Sequence, residues 1–261
     1  MVSAIIQARM TSSRLPGKVL LEILGKPVLA YLIERVRAIP LIDQVIIATT
    51  VNSTDDRLED FSRRAGVLCY RGSENDVLSR YFEAAKMFGV RHIARITSDC
   101  PLIDPQICGR AIELYSREKL DYLCLSPAFA EGLDFEIFSF DALTSAHEKA
   151  TLKYEREHVT RYFHNHPESF RLGKLENDDD DSRYRITIDE PEDFEVIKTI
   201  IEALYEEGAK PFPFASVKTY LDEHPNVFQK NAHIIRNEGL LISLKKEGLT
   251  KEFCGEGDEQ E

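Results

Sequence analysis

The sequence predicts an α/β protein, with a mostly parallel mixed sheet and helices on both of its faces. Up to about residue 126, short apolar runs alternate regularly with longer amphipathic segments. This βαβα order is typical of a parallel sheet with right-handed crossover connections. Two of the helical segments end at a glycine, Gly66 and Gly89, as helices in such units often do. Sheets of this kind bind ligands at the carboxyl ends of their strands.

The predicted elements follow one another along the chain. Strands are expected at residues 2–8, 44–51, 67–72, 92–98 and 121–126. Helices are expected at residues 27–39, 54–66, 76–89 and 106–118. Pro27 is expected at the first position of its helix, and Ser53 with Asp56 predicts a capping box for the next helix. Residues 23–27 predict a turn, and Asp104 predicts an N-cap.

The pattern is looser after residue 126. A weakly alternating strand at 132–139 is expected to pair off the main sheet, and a further strand is expected at 183–189. Helices are predicted at 155–167, where Pro167 ends the helix, and at 190–208, where Pro191 begins it. One or two small helices are expected within 216–248, and residues 254–261 are expected to be frayed. Residues 1–210 are therefore assigned to the main domain and residues 211–261 to a helical C-terminal extension.

Composition limits the classes of function. A net charge of −12 argues against broad nucleic-acid binding, which depends on neutralising phosphates, but leaves room for a small anionic ligand in a local cationic site. No window is apolar enough for membrane insertion, and the start of the chain does not resemble a signal peptide. The five cysteines form no CxxC motif, which argues against zinc and disulfides and favours the cytoplasm.

The segment after the first predicted strand, ARMTSSRLPGK, concentrates positive charge in an acidic chain. Arg9, Arg14 and Lys18 lie within ten residues, with no acidic residue among them, and Ser12 and Ser13 add hydroxyl donors. Long cations, small residues and a glycine are what a triphosphate needs, although the segment is neither a Walker A motif nor GxGxxG. The alternative is a solvated basic loop.

Other polar side chains also follow predicted strands, so they are expected to converge with the opening segment. Arg71 and Asp99 each follow a strand, and Asp189 ends the run at 183–189. Two carboxylates, distant in sequence and close in space, suit Mg²⁺, which takes one or two carboxylates together with substrate phosphates and water. The alternatives are an exposed arginine at a strand end for Arg71, a turn acid for Asp99, and an acid at a helix N-terminus for Asp189.

Three further groups of polar residues point less clearly to a function. The acidic run at 177–182 is expected to be a solvated loop, because consecutive carboxylates repel one another. His158, His164 and His166 lack the spacing of a zinc motif. Asp134 and Glu136 are expected on the same face of a strand, and the alternative for both is ordinary acids at a sheet edge.

The opening segment IIQARMTSSRLPGKVLLEILGKPVLAYLIERV resembles that of the CMP-sugar synthetases, the acylneuraminate and 3-deoxy-manno-octulosonate cytidylyltransferases. The whole chain resembles most closely their spore-coat polysaccharide branch. The other segments that carry the resemblance are YRGSENDVLSRYFEAA, RITSDCPLIDP, GLDFEIFS, EREHVTRYFHNHPE, RITIDEPEDFEVI and NAHIIRNEGLL.

The resemblance implies a Rossmann-like nucleotide-diphospho-sugar transferase fold. It also implies an Mg²⁺-dependent cytidylyltransferase that transfers CMP from CTP to a 2-keto sugar acid or related small acidic acceptor, releases pyrophosphate and serves surface polysaccharide biosynthesis. A homodimer is expected, since relatives are commonly dimeric. Two alternatives stay open: a glycosyltransferase that uses a nucleotide sugar on the same type of fold, and a nucleotide-binding regulator without catalysis.

The resemblance also implies roles for particular residues. Lys18, Arg9 and Arg14 would be catalytic and hold the triphosphate. Further nucleotide contacts would come from Ala8, Ser12, Ser13, Arg71 and Asp99. The metal would be held by Asp99 and Asp189. The acceptor would be bound by Asp134, Glu136, Glu157 and His158. One departure is Arg161, where the family often has proline, so acceptor specificity does not transfer from the family.

Overall fold

The computed structural model describes residues 1–236, 238–246 and 248. The expected fraying at 254–261 and part of the predicted helical region at 216–248 lie outside these residues. A seven-stranded sheet forms the centre of the described part of the chain. Nine strands are present there in chain order: β1 Val2–Gln7, β2 Glu22–Ile23, β3 Lys26–Pro27, β4 Ile42–Thr50, β5 Leu68–Gly72, β6 His92–Thr97, β7 Tyr122–Leu125, β8 Glu136–Ser139 and β9 Leu172–Leu175.

The sheet order is β5-β4-β1-β6-β8-β7-β9. Strands β5, β4, β1 and β6 run parallel to one another, as does β9 to β7, whereas β8 is antiparallel to both β6 and β7. The mostly parallel mixed sheet is thereby confirmed. The expectation that 132–139 pairs off the main sheet is wrong: β8 lies inside it, where Ile137 and Phe138 are fully buried on opposite faces.

Helices cover both faces of the sheet. They are α1 Val28–Arg37, α2 Asp56–Ala65, α3 Val77–Met87, α4 Pro105–Glu118, α5 Phe140–Lys149, α6 Lys153–His158, α7 Arg161–Asn165, α8 Pro191–Leu204, α9 Phe214–Glu223, α10 Pro225–Phe228 and α11 Glu238–Lys246. The side chains of each strand alternate between two buried clusters. Ile6 and Ile47 pack on one face with α1, α4 and α8, and Ile5 and Ile46 pack on the other with α3 and α5.

The helix starts differ from two predictions. Pro27 is the N-cap of α1 and lies just outside the helix, because it also ends the β2–β3 hairpin. Ser53 makes no capping box: a 3₁₀ turn at Ser53–Asp55 precedes α2. Asp55 is buried and turns its carboxylate to Thr50 at the end of β4, so that side chain does not cap α2. The expected turn at 23–27, the stop at Gly66 and the N-cap at Asp104 are confirmed.

The region from 150 to 190 departs furthest from expectation. The single helix predicted at 155–167 is two helices, α6 and α7, broken at Val159, which has φ 59° and ψ −58°. The strand predicted at 183–189 does not form. The segment is extended, but within the described residues it makes only an isolated bridge between Arg185 and Glu131, along with loop hydrogen bonds. The edge strand β9 has no counterpart in the prediction.

The C-terminal third packs on the same core as the sheet. Helix α8 begins with Pro191 at its first position, as predicted, and Glu190 and Asp193 form a capping box. Helices α9, α10 and α11 replace the one or two expected. Phe214, Val217 and Leu221 of α9 belong to the main buried cluster. The division at residue 210 stays a prediction. In the described residues, no helix combines the length and the apolar character that crossing a membrane requires.

Candidate active site

A cavity of about 750 Å³ opens at the carboxyl ends of β1 and β6. The segment after β1, the segment after β6 and the extended segment before α8 all contribute to its wall. The convergence expected from strand-end residues is therefore present for Lys18, Asp99 and Asp189, which come together although they are distant in sequence.

The opening segment is folded back on itself by backbone contacts. The amide of Gly17 donates to the carbonyl of Met10 at 3.0 Å, and the amide of Met10 donates to the Asp55 carboxylate at 2.8 Å. Gly17 has φ 70°, a left-handed conformation that glycine adopts at little cost, and a Cβ at this position would lie 3.3 Å from the Met10 side chain. This turn directs Lys18, which begins a 3₁₀ turn, into the cavity.

Lys18 lies between two carboxylates. Its Nζ donates to Asp189 Oδ1 at 2.7 Å, to Asp99 Oδ2 at 3.3 Å and to the carbonyl of Ile188 at 2.6 Å. All three N–H donors of the ammonium are thus used. Lys18 is only 8% exposed, so the charges interact in a partly desolvated environment.

The charges of this triad reinforce one another. Burial by itself would lower the pKa of Lys18, but the carboxylates of Asp99 and Asp189 outweigh it and raise that pKa. Burial would raise the pKa of Asp99, but Lys18 and Thr97 outweigh it and lower that pKa. The ammonium and the Asp99 carboxylate therefore both stay charged at neutral pH. Burial raises the pKa of the neighbouring Cys100 thiol, which stays protonated.

The two arginines of the opening segment also meet carboxylates. Arg14 contacts Asp189 at 2.9 Å, Glu190 at 3.3 Å and Glu238 of α11 at 3.0 Å. Arg9 is more exposed and lies 3.9 Å from Glu74. Both line the cavity, so the phosphate ligands expected from the sequence are placed together, each beside an acid that an incoming phosphate would have to replace.

The remaining expected nucleotide contacts divide into two sets. Ala8, Ser12 and Ser13 line the cavity. Arg71 is not among the lining residues of the described chain. Its guanidinium donates to the carbonyls of Thr50 and Asn52 and forms ion pairs with acids of α2, so it ties β5 to that helix.

Three cavity arginines, Arg80, Arg95 and Arg236, were missed by the sequence reasoning. Arg80 of α3 lines the cavity and is 3% exposed, and its Nε has no hydrogen-bond partner among the described residues. Arg236 donates to the carbonyls of Pro127 and Phe129 at 2.8 and 2.9 Å and also lines the cavity. A lone arginine in such a segment gives no local signal of a place in a cavity, although Arg80 and Arg236 both fall within segments that carry the family resemblance.

The far end of the cavity contains the residues expected to bind the acceptor. Glu136 of β8 pairs with Arg95 of β6 and accepts from the Tyr122 hydroxyl at 2.5 Å. Tyr122 also contacts His164 Nε2 at 3.0 Å. Burial raises the pKa of Asp134, whose carboxylate accepts from the Gly132 amide.

Glu157 and His158 of α6 line the same end of the cavity. Burial, together with Arg95 and Arg161, outweighs Glu157 and lowers the pKa of His158 to about 4, so its ring is neutral at pH 7. Its Nε2 is buried and has no hydrogen-bond partner among the described residues. A buried polar atom without a partner costs about 1–3 kcal/mol, and the groups that retain such an atom are often functional.

A buried ion pair holds Asp189 in place. Arg185 makes two hydrogen bonds of 2.8 Å to Asp193, which is fully buried. The Asp193 carboxylate also accepts from the amides of Asp189 and Glu190 and from Asn231. The backbone of the predicted metal ligand is therefore fixed to the start of α8.

The donor set is compatible with Mg²⁺. Carboxylate oxygens of Asp99 and Asp189 converge on one cationic atom, the Lys18 ammonium, so they can share a cation. No group of three or more His, Cys, Asp or Glu suited to a metal occurs among the described residues. Two carboxylates fit a metal that takes its other ligands from phosphates and water.

The acidic run at 177–182 is not uniformly solvated. Asp178, Asp179 and Asp180 are exposed as expected, but Asp181 is buried and contacts Lys218 of α9 at 2.7 Å. The run therefore joins this loop to the C-terminal helices and lies apart from the cavity lining.

Comparison with known proteins identifies the family. The model of the cytidylyltransferase family matches residues 3–239. The spore coat polysaccharide biosynthesis protein SpsF of Bacillus subtilis is 36% identical over 231 residues, which cover 85% of this chain and 94% of SpsF. The resemblance to the spore-coat branch is thereby confirmed.

Solved structures agree with the fold. A cytidylyltransferase from Leptospira borgpetersenii has a TM-score of 0.81 and 35% identity, covering 87% of this chain and 96% of that one. A CMP:2-keto-3-deoxy-manno-octonic acid synthetase complexed with CTP has a TM-score of 0.62 and 17% identity, and the match covers 78% of this chain and 99% of that one. At this identity the similarity supports the fold alone. The chain belongs to the cytidylyltransferase family and is a nucleotidyltransferase.

Proposed function

We propose that the chain transfers CMP from CTP to a 2-keto sugar acid or a related acidic acceptor, with release of pyrophosphate, for surface polysaccharide biosynthesis. The observation that carries this proposal is the position of Lys18 between Asp99 and Asp189 in the cavity, next to Arg14. A relative named for spore coat polysaccharide biosynthesis and a similar fold named as a CTP-bound CMP-sugar acid synthetase support it.

In this reaction, an acceptor hydroxyl oxygen attacks the α-phosphorus of CTP. A new oxygen–phosphorus bond forms, the bond from the α-phosphorus to the bridging oxygen breaks, pyrophosphate leaves and the hydroxyl proton passes to water. Such transfer depends mainly on positioning and on stabilising charge. Arg9, Arg14 and Lys18 would hold the triphosphate and the leaving pyrophosphate through charge-assisted hydrogen bonds.

Asp99 and Asp189 would hold Mg²⁺, which neutralises phosphate charge when bound and lowers the pKa of the acceptor hydroxyl. Both carboxylates now accept from Lys18 Nζ. If they turn to a metal, two ammonium donors become available for phosphate oxygens. The two acids would therefore keep Lys18 charged and positioned before substrate binds.

The test is to incubate the protein with Mg²⁺, a panel of sugar acids and each common nucleoside triphosphate in turn, to measure pyrophosphate, and to identify the product by mass spectrometry. Pyrophosphate and a CMP-linked acid, formed with CTP only, would support the proposal. A free nucleoside diphosphate formed from a nucleotide sugar would instead favour a glycosyltransferase. Tight CTP binding without turnover on any acid would favour a regulator.

The homodimer and the cytoplasmic location are part of the proposal. Light scattering after size-exclusion chromatography tests the dimer, and fractionation of the source cells tests the location. A monomer at micromolar concentration, or recovery with the membrane fraction, would contradict them.

A further inference from the structure

The two ends of the cavity lie far apart along the sheet. The opening segment follows β1, whereas His164 of α7 contacts Tyr122 of β7. Strands β6 and β8 separate β1 from β7, and neighbouring strands lie about 4.8 Å apart, so the ends are about 14 Å apart. If the opening segment holds the triphosphate, as proposed above, the end lined by α6 and α7 receives the acceptor. This inference rests on that proposed function.

The cations at the two ends differ in their partners. Arg9, Arg14 and Lys18 each contact a carboxylate, and at the far end Arg95 pairs with Glu136. Arg161 lines the cavity, but no carboxylate of the described chain lies within 4.0 Å of its guanidinium. Arg161 is therefore a positive charge in the wall of the acceptor end that the described residues leave unpaired.

The backbone before Arg161 is strained. Val159 has φ 59° and ψ −58°, and the Thr160 amide donates to the His158 carbonyl at 2.6 Å. These values describe a γ-turn of the positive-φ type, which is rare and strained, and more so for a β-branched residue. Such conformations persist where the surrounding structure imposes them, and they cluster at functional sites.

The strained turn fixes the start of α7. Val159 is fully buried, and Thr160 is 4% exposed. The Thr160 hydroxyl also donates to the His158 carbonyl, at 3.3 Å. Arg161 is the first residue of α7, so its Cα is held at the cavity wall by a buried anchor on its N-terminal side.

The groups around Arg161 leave its charge uncompensated. The ring of His158 is neutral at pH 7, so it carries no charge that would pair with Arg161 or repel an anion. Glu136 is committed to Arg95 and Tyr122. Glu157 accepts from Ser243 of α11 at 3.3 Å and forms no ion pair with Arg161 in the described chain. An anionic ligand would supply the missing partner.

We propose that Arg161 binds the carboxylate of the acceptor and thereby selects sugar acids over neutral sugars. A guanidinium can donate two parallel hydrogen bonds to a carboxylate, a geometry that a neutral hydroxyl cannot match. Arg161 is a specificity-determining residue in this proposal, and the γ-turn at Val159 positions it.

The experiment compares wild type with Arg161→Gln, Arg161→Lys and a matched control, Arg110→Gln, which changes an exposed arginine of α4 outside the cavity lining. The readouts are kcat and KM for an acid acceptor, for its carboxamide and for CTP, with thermal melting to verify folding. We expect Arg161→Gln to raise KM for the acid by about 10- to 100-fold, with kcat and the KM for CTP within about twofold of wild type. Arg161→Lys should retain part of the affinity. The carboxamide should react equally with every variant, and Arg110→Gln should match wild type.

Several outcomes would overturn the inference. An unchanged KM for the acid in Arg161→Gln, when wild type turns over normally, would overturn this inference and leave the proposed function standing. So would an equal rise for the acid and the carboxamide, or a rise in the KM for CTP in place of that for the acid. No turnover by wild type with any acid would overturn the proposed function and, with it, this inference.

Discussion

Lys18 Nζ and Asp189 Oδ1 lie 2.7 Å apart although 171 residues separate them in the chain. The turn at Gly17 brings one of these groups to the cavity, and the start of α8 brings the other. The same ammonium reaches Asp99 after β6. Three distant segments of the chain therefore form one charged triad.

Removing a carboxylate of the triad should weaken metal binding. We expect Asp99→Asn to raise the Mg²⁺ concentration needed for half-maximal pyrophosphate release by about tenfold or more, because a neutral amide binds Mg²⁺ more weakly than a carboxylate. A chelator should stop the wild-type reaction. The exposed Asp60, on α2, supplies the control Asp60→Asn. Full activity of wild type in excess chelator would show that no divalent cation is needed.

If Arg14 holds the triphosphate as proposed, helix α11 competes with the substrate for it. Glu238 contacts the Arg14 guanidinium at 3.0 Å, so a triphosphate oxygen that bound there would have to replace it. The pair is partly exposed, and such pairs contribute up to about 1 kcal/mol. We therefore expect Glu238→Gln to lower the KM for CTP by about two- to fivefold, while Glu223→Gln on α9 leaves it unchanged. A higher KM for CTP in Glu238→Gln would mean that Glu238 helps binding.

Arg71 of β5 and Arg80 of α3 should differ in their effect on CTP. Arg80 lines the cavity, whereas Arg71 is bound to strand carbonyls and to acids of α2. We expect Arg80→Lys to raise the KM for CTP by about tenfold or more and Arg71→Lys to leave it within about twofold, since lysine cannot reproduce a guanidinium's bidentate contact. The opposite ranking, measured by steady-state kinetics, would restore Arg71 as the nucleotide ligand.

The buried pair of Arg185 and Asp193 should contribute strongly to stability. We expect Asp193→Asn to lower the free energy of unfolding by about 3–5 kcal/mol, because it removes a buried charge that accepts from Arg185 and from two backbone amides, and leaves Arg185 with Glu131 as its remaining close carboxylate. The exposed pair of Asp60 and Arg63 is the matched control, and Asp60→Asn should change stability by about 0.5 kcal/mol or less. An equal loss in the free energy of unfolding for Asp193→Asn and Asp60→Asn, measured with urea, would contradict the importance of burial.

The same pair predicts a pH dependence. Burial would raise the pKa of Asp193, but Arg185 and the amides of Glu190 and Asp189 outweigh it and lower that pKa. A depressed carboxylate pKa adds stability above the unfolded-state value of about 3.9, and this stability is lost as pH falls through the folded-state value. The free energy of unfolding of wild type, measured with urea, should therefore decrease below about pH 4. Asp193→Asn should lose less stability over that range.

Much of the fold could be predicted from local sequence patterns. The central strand β1 is a nearly continuous apolar run because both of its faces are buried, and helices such as α8 carry clear start signals. The failures have long-range causes. Residues 183–189 have the pattern of a strand, but they bond to the loop carbonyls of Glu131 and Asp99, which no local pattern reveals.

The site was predictable where charge was locally unusual. Arg9, Arg14 and Lys18 stand out in an acidic chain, and strand ends mark Asp99. Arg80 and Arg161 lie in amphipathic helical segments, where an arginine normally faces solvent. Their place in the cavity depends on the packing of α3 and on the break at Val159, and a strained turn at a valine has no sequence signal.

The most direct test of the account is the rate of pyrophosphate release from CTP by Lys18→Ala. Lys149→Ala, which changes an exposed lysine of α5, is the control, and circular dichroism verifies that both variants fold. If Lys18 stabilises charge on the triphosphate as it reacts, kcat should fall by about 100- to 1,000-fold, or about 2.7–4 kcal/mol, while Lys149→Ala stays at the wild-type rate. A folded Lys18→Ala protein that releases pyrophosphate as fast as wild type would contradict the account.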